Sequence, residues 1–165
     1  MTTGSFNITT PAALLKKLQA EQADFVRENC LSARHALNAV MTANHLHEWV
    51  WGAFLKWQPD VQTTLQLTHD AKKGRITLES FREWLDMKCP AMAAAKQITN
   101  GTKHYGAQVQ TGGHRGGFQR SAFQANAFDV SYLWIERNDR KQRVEHFIAE
   151  LVTFWTEFFR EYQVP

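Results

Sequence analysis

Residues 144–162 read VEHFIAELVTFWTEFFREY. Val144, Phe147, Ile148, Leu151, Trp155, Phe158 and Tyr162 recur at spacings that place them on one broad face of an α-helix. A helix with so wide an apolar face buries it against other helices, so this stretch sets the expectation of a helical bundle. The residues before it break the pattern. AFDVSYLWIE, 127–136, alternates and is rich in aromatic and β-branched types, which predicts a strand, and RND, 137–139, predicts a turn. Six of the nine glycines lie between Gly101 and Gly117, which predicts a loop or a loosely paired hairpin.

Further back the helical period returns. Thr10-Pro11 is an N-cap followed by a proline suited to the first helical position, opening a helix that runs to about Glu28. Leu31 to Trp57 predicts a longer helix, with Ala36, Ala39, Val40, Ala43, Leu46, Val50 and Phe54 on one stripe. Its small residues admit a close neighbour, and Pro59 ends it. Residues 60–75 fit no period, with a turn at Gly74. Thr77 opens a helix carrying Phe81, Trp84 and Leu85; Cys89-Pro90 breaks it, and Pro90 begins a shorter one with an alanine run. The fold class is therefore mainly α: one domain over residues 1–165, a bundle of four to five helices with a small β element before the C-terminal helix.

With 44% hydrophobic residues, six Trp and eleven Phe, the chain can build a sizeable core. No apolar run approaches the ~18 residues of a membrane span, and the N-terminus lacks the basic-then-apolar order of a signal peptide. The expectation is a cytoplasmic protein without a membrane partner, its Cys30 and Cys89 reduced. Net charge is +3, but residues 96–143 carry eight Lys and Arg against three Asp and Glu. Such a basic region is one footprint of a phosphate-bearing partner, and also a product of ordinary surface variation.

QITNGTKHYG, 97–106, lies at the head of that region. In one interpretation it only ends a helix, with Gly101 at the left-handed C′ position and Lys103 and His104 near the negative end of the dipole. In the other it is a catalytic cluster. His104 can take a proton from a ribose 2′-hydroxyl, Lys103 can stabilise a five-coordinate phosphate, and Asn100 can orient it. On the long helix, Arg34, Asn38, Thr42, His45 and Glu48 share one face. That face is either solvated or a wall of an anion site to which Arg34, Asn38 and His45 contribute. TGGHRGG, 111–117, resembles a phosphate-binding Gly-x-x-Gly loop but lacks helical flanks; it fits a hairpin tip, from which Arg115 can reach phosphate. His45 and His47 point about 200° apart on a helix and cannot chelate one ion. There is no P-loop, dinucleotide fingerprint or nucleophile elbow, and neither metal nor cofactor is expected. FWTEFFREY, 154–162, is either a dimer interface or a wide core-facing stripe.

An all-helical bundle of this length, with an Asn and a Lys-His pair in CPAMAAAKQITNGTKHY (89–105), resembles the HEPN superfamily and a stretch common in bacterial and phage proteins of similar size. The resemblance implies a helical-bundle protein, often a homodimer, that binds RNA or nucleotide phosphate and in many members cleaves RNA without metal. HEPN RNases usually carry an Arg four to six residues before a His, a spacing that Arg140 and His146 match, and both are expected at the start of the C-terminal amphipathic helix. With ten Arg and seven His in the chain, one such match is expected by chance. The alternative function is a non-catalytic interaction protein, homodimeric through its aromatic face.

Overall fold

A computed structural model describes residues 8–103, 110–114, 131–137 and 139–165, with Lys103 in its main chain only. Its helices are α1 (Pro11–Arg27), α2 (Ala33–Ala53), α3 (Pro59–Thr64), α4 (Leu78–Lys88), α5 (Pro90–Lys103) and α6 (Val144–Tyr162). Strands β1 (Thr111–His114), β2 (Tyr132–Arg137) and β3 (Arg140–Arg143) form an antiparallel sheet in the order β1-β2-β3. The architecture is mainly α, with the small sheet before the last helix. It holds one helix more than expected, the short α3.

The local signals explain most boundaries. Thr10 Oγ1 accepts from the amide of Ala13, and Pro11 occupies the first turn. Thr77 and Ser80 exchange hydrogen bonds in a reciprocal cap at the start of α4. Gly74 takes a positive φ of 61° in the turn before it.

Three expectations are corrected. The long helix stops at Ala53 and continues as a 3-10 turn, Leu55–Trp57; Pro59 then opens α3 rather than only closing what precedes it. Asn100-Gly101 does not end α5, which runs on to Lys103, so Gly101 is an interior helical residue and not a left-handed cap. Arg140 lies on β3, not at the start of the last helix: Arg140–Arg143 pairs with Arg137–Trp134, and Asp139 makes the turn at a φ of 58°. In the strand expected over 127–136, residues 127–130 lie outside the described set.

α2 is the central element, packed against α1, α4, α5 and α6. Ala36, Ala39 and Ala43 are buried on it and let neighbours approach. Trp155 of α6 is fully buried, and its Nε1 donates to the carbonyl of Ala43 at 2.9 Å. Phe81, Trp84, Phe154 and Phe158 form an aromatic cluster between α4 and α6, with centroids 5.8–6.4 Å apart. Phe158 and Phe159 are buried in the chain's own core, so the stripe considered for a dimer face packs inward. In the sheet, Gly112 sits opposite Trp134, where a Cβ would stand 2.6 Å from the indole. None of the described helices is long and apolar enough to cross a membrane.

Candidate functional site

α2, α4 and α5 meet around a cleft of about 150 Å³. α2 contributes Asn44 and His47, α4 contributes Arg82 and Asp86, and α5 contributes Lys96 and Asn100. The spacings are helical: three residues on α2, and four on both α4 and α5, so each pair shares a face. Leu85 and Met92 close the cleft with apolar surface.

His47 is 5% exposed and both its ring nitrogens are engaged. Nδ1 meets the backbone carbonyl of Asn44, which can only accept, so Nδ1 carries the proton. Nε2 then accepts from Arg82 Nε at 2.7 Å. The neutral ring is the state these partners require. Burial pushes the His47 pKa below its ordinary value; the Asn44 carbonyl acts against that shift and the Arg82 charge adds to it. Arg82 also reaches Glu48 at 2.9 Å and Glu79 at 3.2 Å. Each terminal nitrogen keeps a second N–H for another acceptor.

Across the cleft, Lys96 Nζ stands 4.0 Å from an oxygen of Asp86. Burial raises the Asp86 pKa, partly offset by the Lys96 charge, so it takes up a proton more readily than an ordinary aspartate. Asn44 is 7% exposed and makes no side-chain hydrogen bond among the described residues. Its side chain opens on the cleft, where an amide has two donors and an acceptor for an entering group.

The residues expected from sequence separate into groups. Asn100 lines the cleft. Lys103 ends α5, its side chain outside the described set, as are His104 and Arg115. Arg34 and Asn38 face carboxylates instead: Arg34 is 3.8 Å from Glu28, and Asn38 donates to Glu21 at 3.4 Å. They belong to a polar seam between α1 and α2, in which Glu21 also meets His35 at 2.7 Å and Lys17 at 3.2 Å, and Lys17 donates to Thr42 at 2.9 Å. Burial works to raise the Glu21 pKa, but the hydrogen bonds from His35, Lys17 and Asn38 outweigh it and hold the carboxyl below its ordinary value. His45 is half-buried and 3.7 Å from Glu48. Arg140 is exposed on β3, and His146 is exposed in the first turn of α6, 3.5 Å from Glu145. None of these lines the cleft.

Sequence reasoning missed Asn44, His47, Arg82, Asp86 and Lys96. The available signal was an interruption. Asn44 follows Val40, and His47 follows Ala43, by four residues, so two polar groups continue a stripe that is otherwise apolar. Among the described residues no three His, Cys, Asp or Glu side chains are placed to hold a metal ion. No protein-family model, curated protein or solved structure matches the chain.

Proposed function

We propose that the protein binds RNA or nucleotide phosphate, with the α2–α4–α5 cleft receiving the phosphate or an adjoining hydroxyl. The observation that carries this reading is Asn44, a residue 7% exposed whose side chain lines the cleft and meets no partner among the described residues, beside the Lys96 and Arg82 cations and the Asn100 amide. Amide and cation donors around a small polar cleft suit an oxyanion. An entering anion competes with Asp86 for Lys96, which stands 4.0 Å from that carboxylate.

Metal-independent RNA cleavage is the chemistry such binding would serve, and it is what the HEPN resemblance implies. His104, next after Lys103, would take the 2′-hydroxyl proton, and the freed oxygen would attack phosphorus. The 5′-oxygen would leave, taking a proton from water, to give a 2′,3′-cyclic phosphate and a 5′-hydroxyl. Lys103 would stabilise the phosphorane and Asn100 would orient it.

The test is RNA binding and cleavage in EDTA, with wild type, Asn44→Ala, Asp86→Asn and His104→Ala. The expected results are weaker binding for Asn44→Ala, tighter binding for Asp86→Asn, and loss of cyclic-phosphate ends in His104→Ala. Equal affinity in wild type and both cleft variants overturns the site. Cleavage that leaves only 3′-hydroxyl ends overturns the mechanism.

A further inference from the structure

A second concavity lies one helical turn from the cleft. It is a groove of about 700 Å³ between the last turns of α2, the 3-10 turn after it, α3, the loop before α4 and the start of α4. Trp51, Lys56, His69, Lys73, Arg75 and Thr77 line it. Lys56 and Arg75 are exposed and pair with no carboxylate among the described residues. Lys73 is 3.9 Å from Asp70, but that carboxylate is turned into its own loop, accepting from the amides of Lys72 and Lys73 and from the Thr77 hydroxyl. Asp60 on α3 is the other carboxylate of residues 56–75. Positive charge therefore dominates the groove.

An aromatic surface adjoins it. Trp57 is 65% exposed, unusual for the largest side chain in a protein with an ample core. Its Nε1 donates to the carbonyl of Gly52 at 3.2 Å, which fixes the ring, and Lys56 Nζ stands 4.7 Å from the ring centroid. Lys56 covers one face of the indole, and an exposed aromatic ring beside cations is the combination that single-stranded nucleic acid uses, bases on the ring and phosphates on the cations.

The groove and the cleft are separate concavities on the same two helices. Trp51 lines the groove and His47 the cleft, four residues apart on α2. Leu78 lines the groove and Arg82 the cleft, four residues apart on α4. Four residues advance a helix by ~6 Å, so one face of the α2–α4 pair carries both.

We infer that the groove is a binding site for single-stranded RNA, with phosphates on Lys56, Lys73 and Arg75 and a base stacked on Trp57, and that it leads the strand into the cleft. The path into the cleft rests on the function proposed above; the groove itself does not.

Binding of a short labelled RNA in EDTA, measured by fluorescence anisotropy across a salt series, tests this. The variants are Lys56→Ala/Arg75→Ala and Trp57→Ala in the groove, and Asn44→Ala/Asn100→Ala in the cleft. Lys56, Trp57 and Arg75 are all exposed, so folding is retained. The double cation variant should bind more weakly and lower the slope of log K against log salt by about 1.4, the loss of two phosphate contacts on a single strand. Trp57→Ala should weaken binding about fivefold or more and leave the slope unchanged. If only the cleft variant weakens binding, the groove is overturned and the cleft stands. If only the groove variants do, the groove stands and the cleft falls. An RNA that wild type does not bind, or an acidic peptide of matched charge bound as tightly, overturns the groove as an RNA site.

Discussion

Nε of Arg82 donates to Nε2 of His47 at 2.7 Å, tying α4 to α2 at the rim of the cleft. Arg82→Ala leaves a buried ring nitrogen without its donor, which costs about 1–3 kcal/mol. Arg82→Lys restores the charge but not the planar Nε–H, so it should recover little of the loss. Urea denaturation of the two variants checks this; a lysine variant as stable as wild type would show that the charge alone matters.

Acidification should weaken the fold in two stages. His47 has a folded pKa below its ordinary 6.5, so the unfolded chain binds a proton that the folded chain does not. Its contribution is complete above pH 6.5 and is lost as pH falls toward the folded value. Glu21, held below 4.5, behaves likewise at lower pH: its contribution is present above 4.5 and lost beneath it. Asp86 has the opposite sign. Its pKa is raised above 3.8, so its contribution is complete below that value and is lost as pH rises through the folded one. Urea midpoints against pH should show the upper stage vanish in His47→Gln. Asp86→Asn should raise the midpoint at pH 7 more than at pH 4.

Arg34 and Asn38 should influence stability and not ligand binding, because both face carboxylates of the α1–α2 seam. Glu21→Ala removes the acceptor of His35, Lys17 and Asn38 together and should cost about 2–3 kcal/mol, the upper range for hydrogen bonds to a charged group. RNA affinity of Asn38→Ala within twofold of wild type is the expected outcome; a tenfold loss would return this face to the site.

Phe158 distinguishes core from interface. It is 3% exposed in the single chain and touches Phe81, Trp84, Trp155 and Tyr162. Phe158→Ala should therefore cost about 3–5 kcal/mol. Sedimentation of the folded variant should match wild type. A change in association state would place the aromatic stripe between chains.

Gly112→Ala puts a methyl 2.6 Å from the Trp134 indole, whose other neighbour is Lys141 Nζ at 4.3 Å from the ring centroid. The indole must move and loosen β1 from β2, at about 1–3 kcal/mol. A lower thermal midpoint with blue-shifted or red-shifted tryptophan emission would report it; an unchanged midpoint would mean that the ring swings away freely.

The fold was legible where one strong period met a clear boundary. α1, α4 and α6 have wide apolar faces, and α1 and α4 also have a side-chain cap at the start, so local propensity and burial agree. α3 was hidden because six residues hold too little period to recognise. Gly101 was misplaced because Asn-Gly favours a cap only when nothing extends the helix, and here the helix continues for two more residues. Arg140 was read into α6 because Arg140–Arg143 is polar throughout, and a short charged edge strand carries no alternation to detect. The site was half legible. Asn100 stood out beside a glycine, whereas Asn44 and His47 resemble flaws in an alanine-rich stripe until α4 and α5 are set against them.

The bond from Trp155 to the carbonyl of Ala43 has a consequence for the cleft one turn along α2. In an α-helix that carbonyl also accepts the amide of the residue four places on, which here is His47. One oxygen thus anchors α6 through an indole and supports the backbone of the histidine that holds Arg82. The depth to which Trp155 is seated sets where His47 stands, and a bulkier side chain at Ala43 would shift both. One small side chain on the central helix is in this sense a gauge for the cleft, and changes in the aromatic core should be felt there.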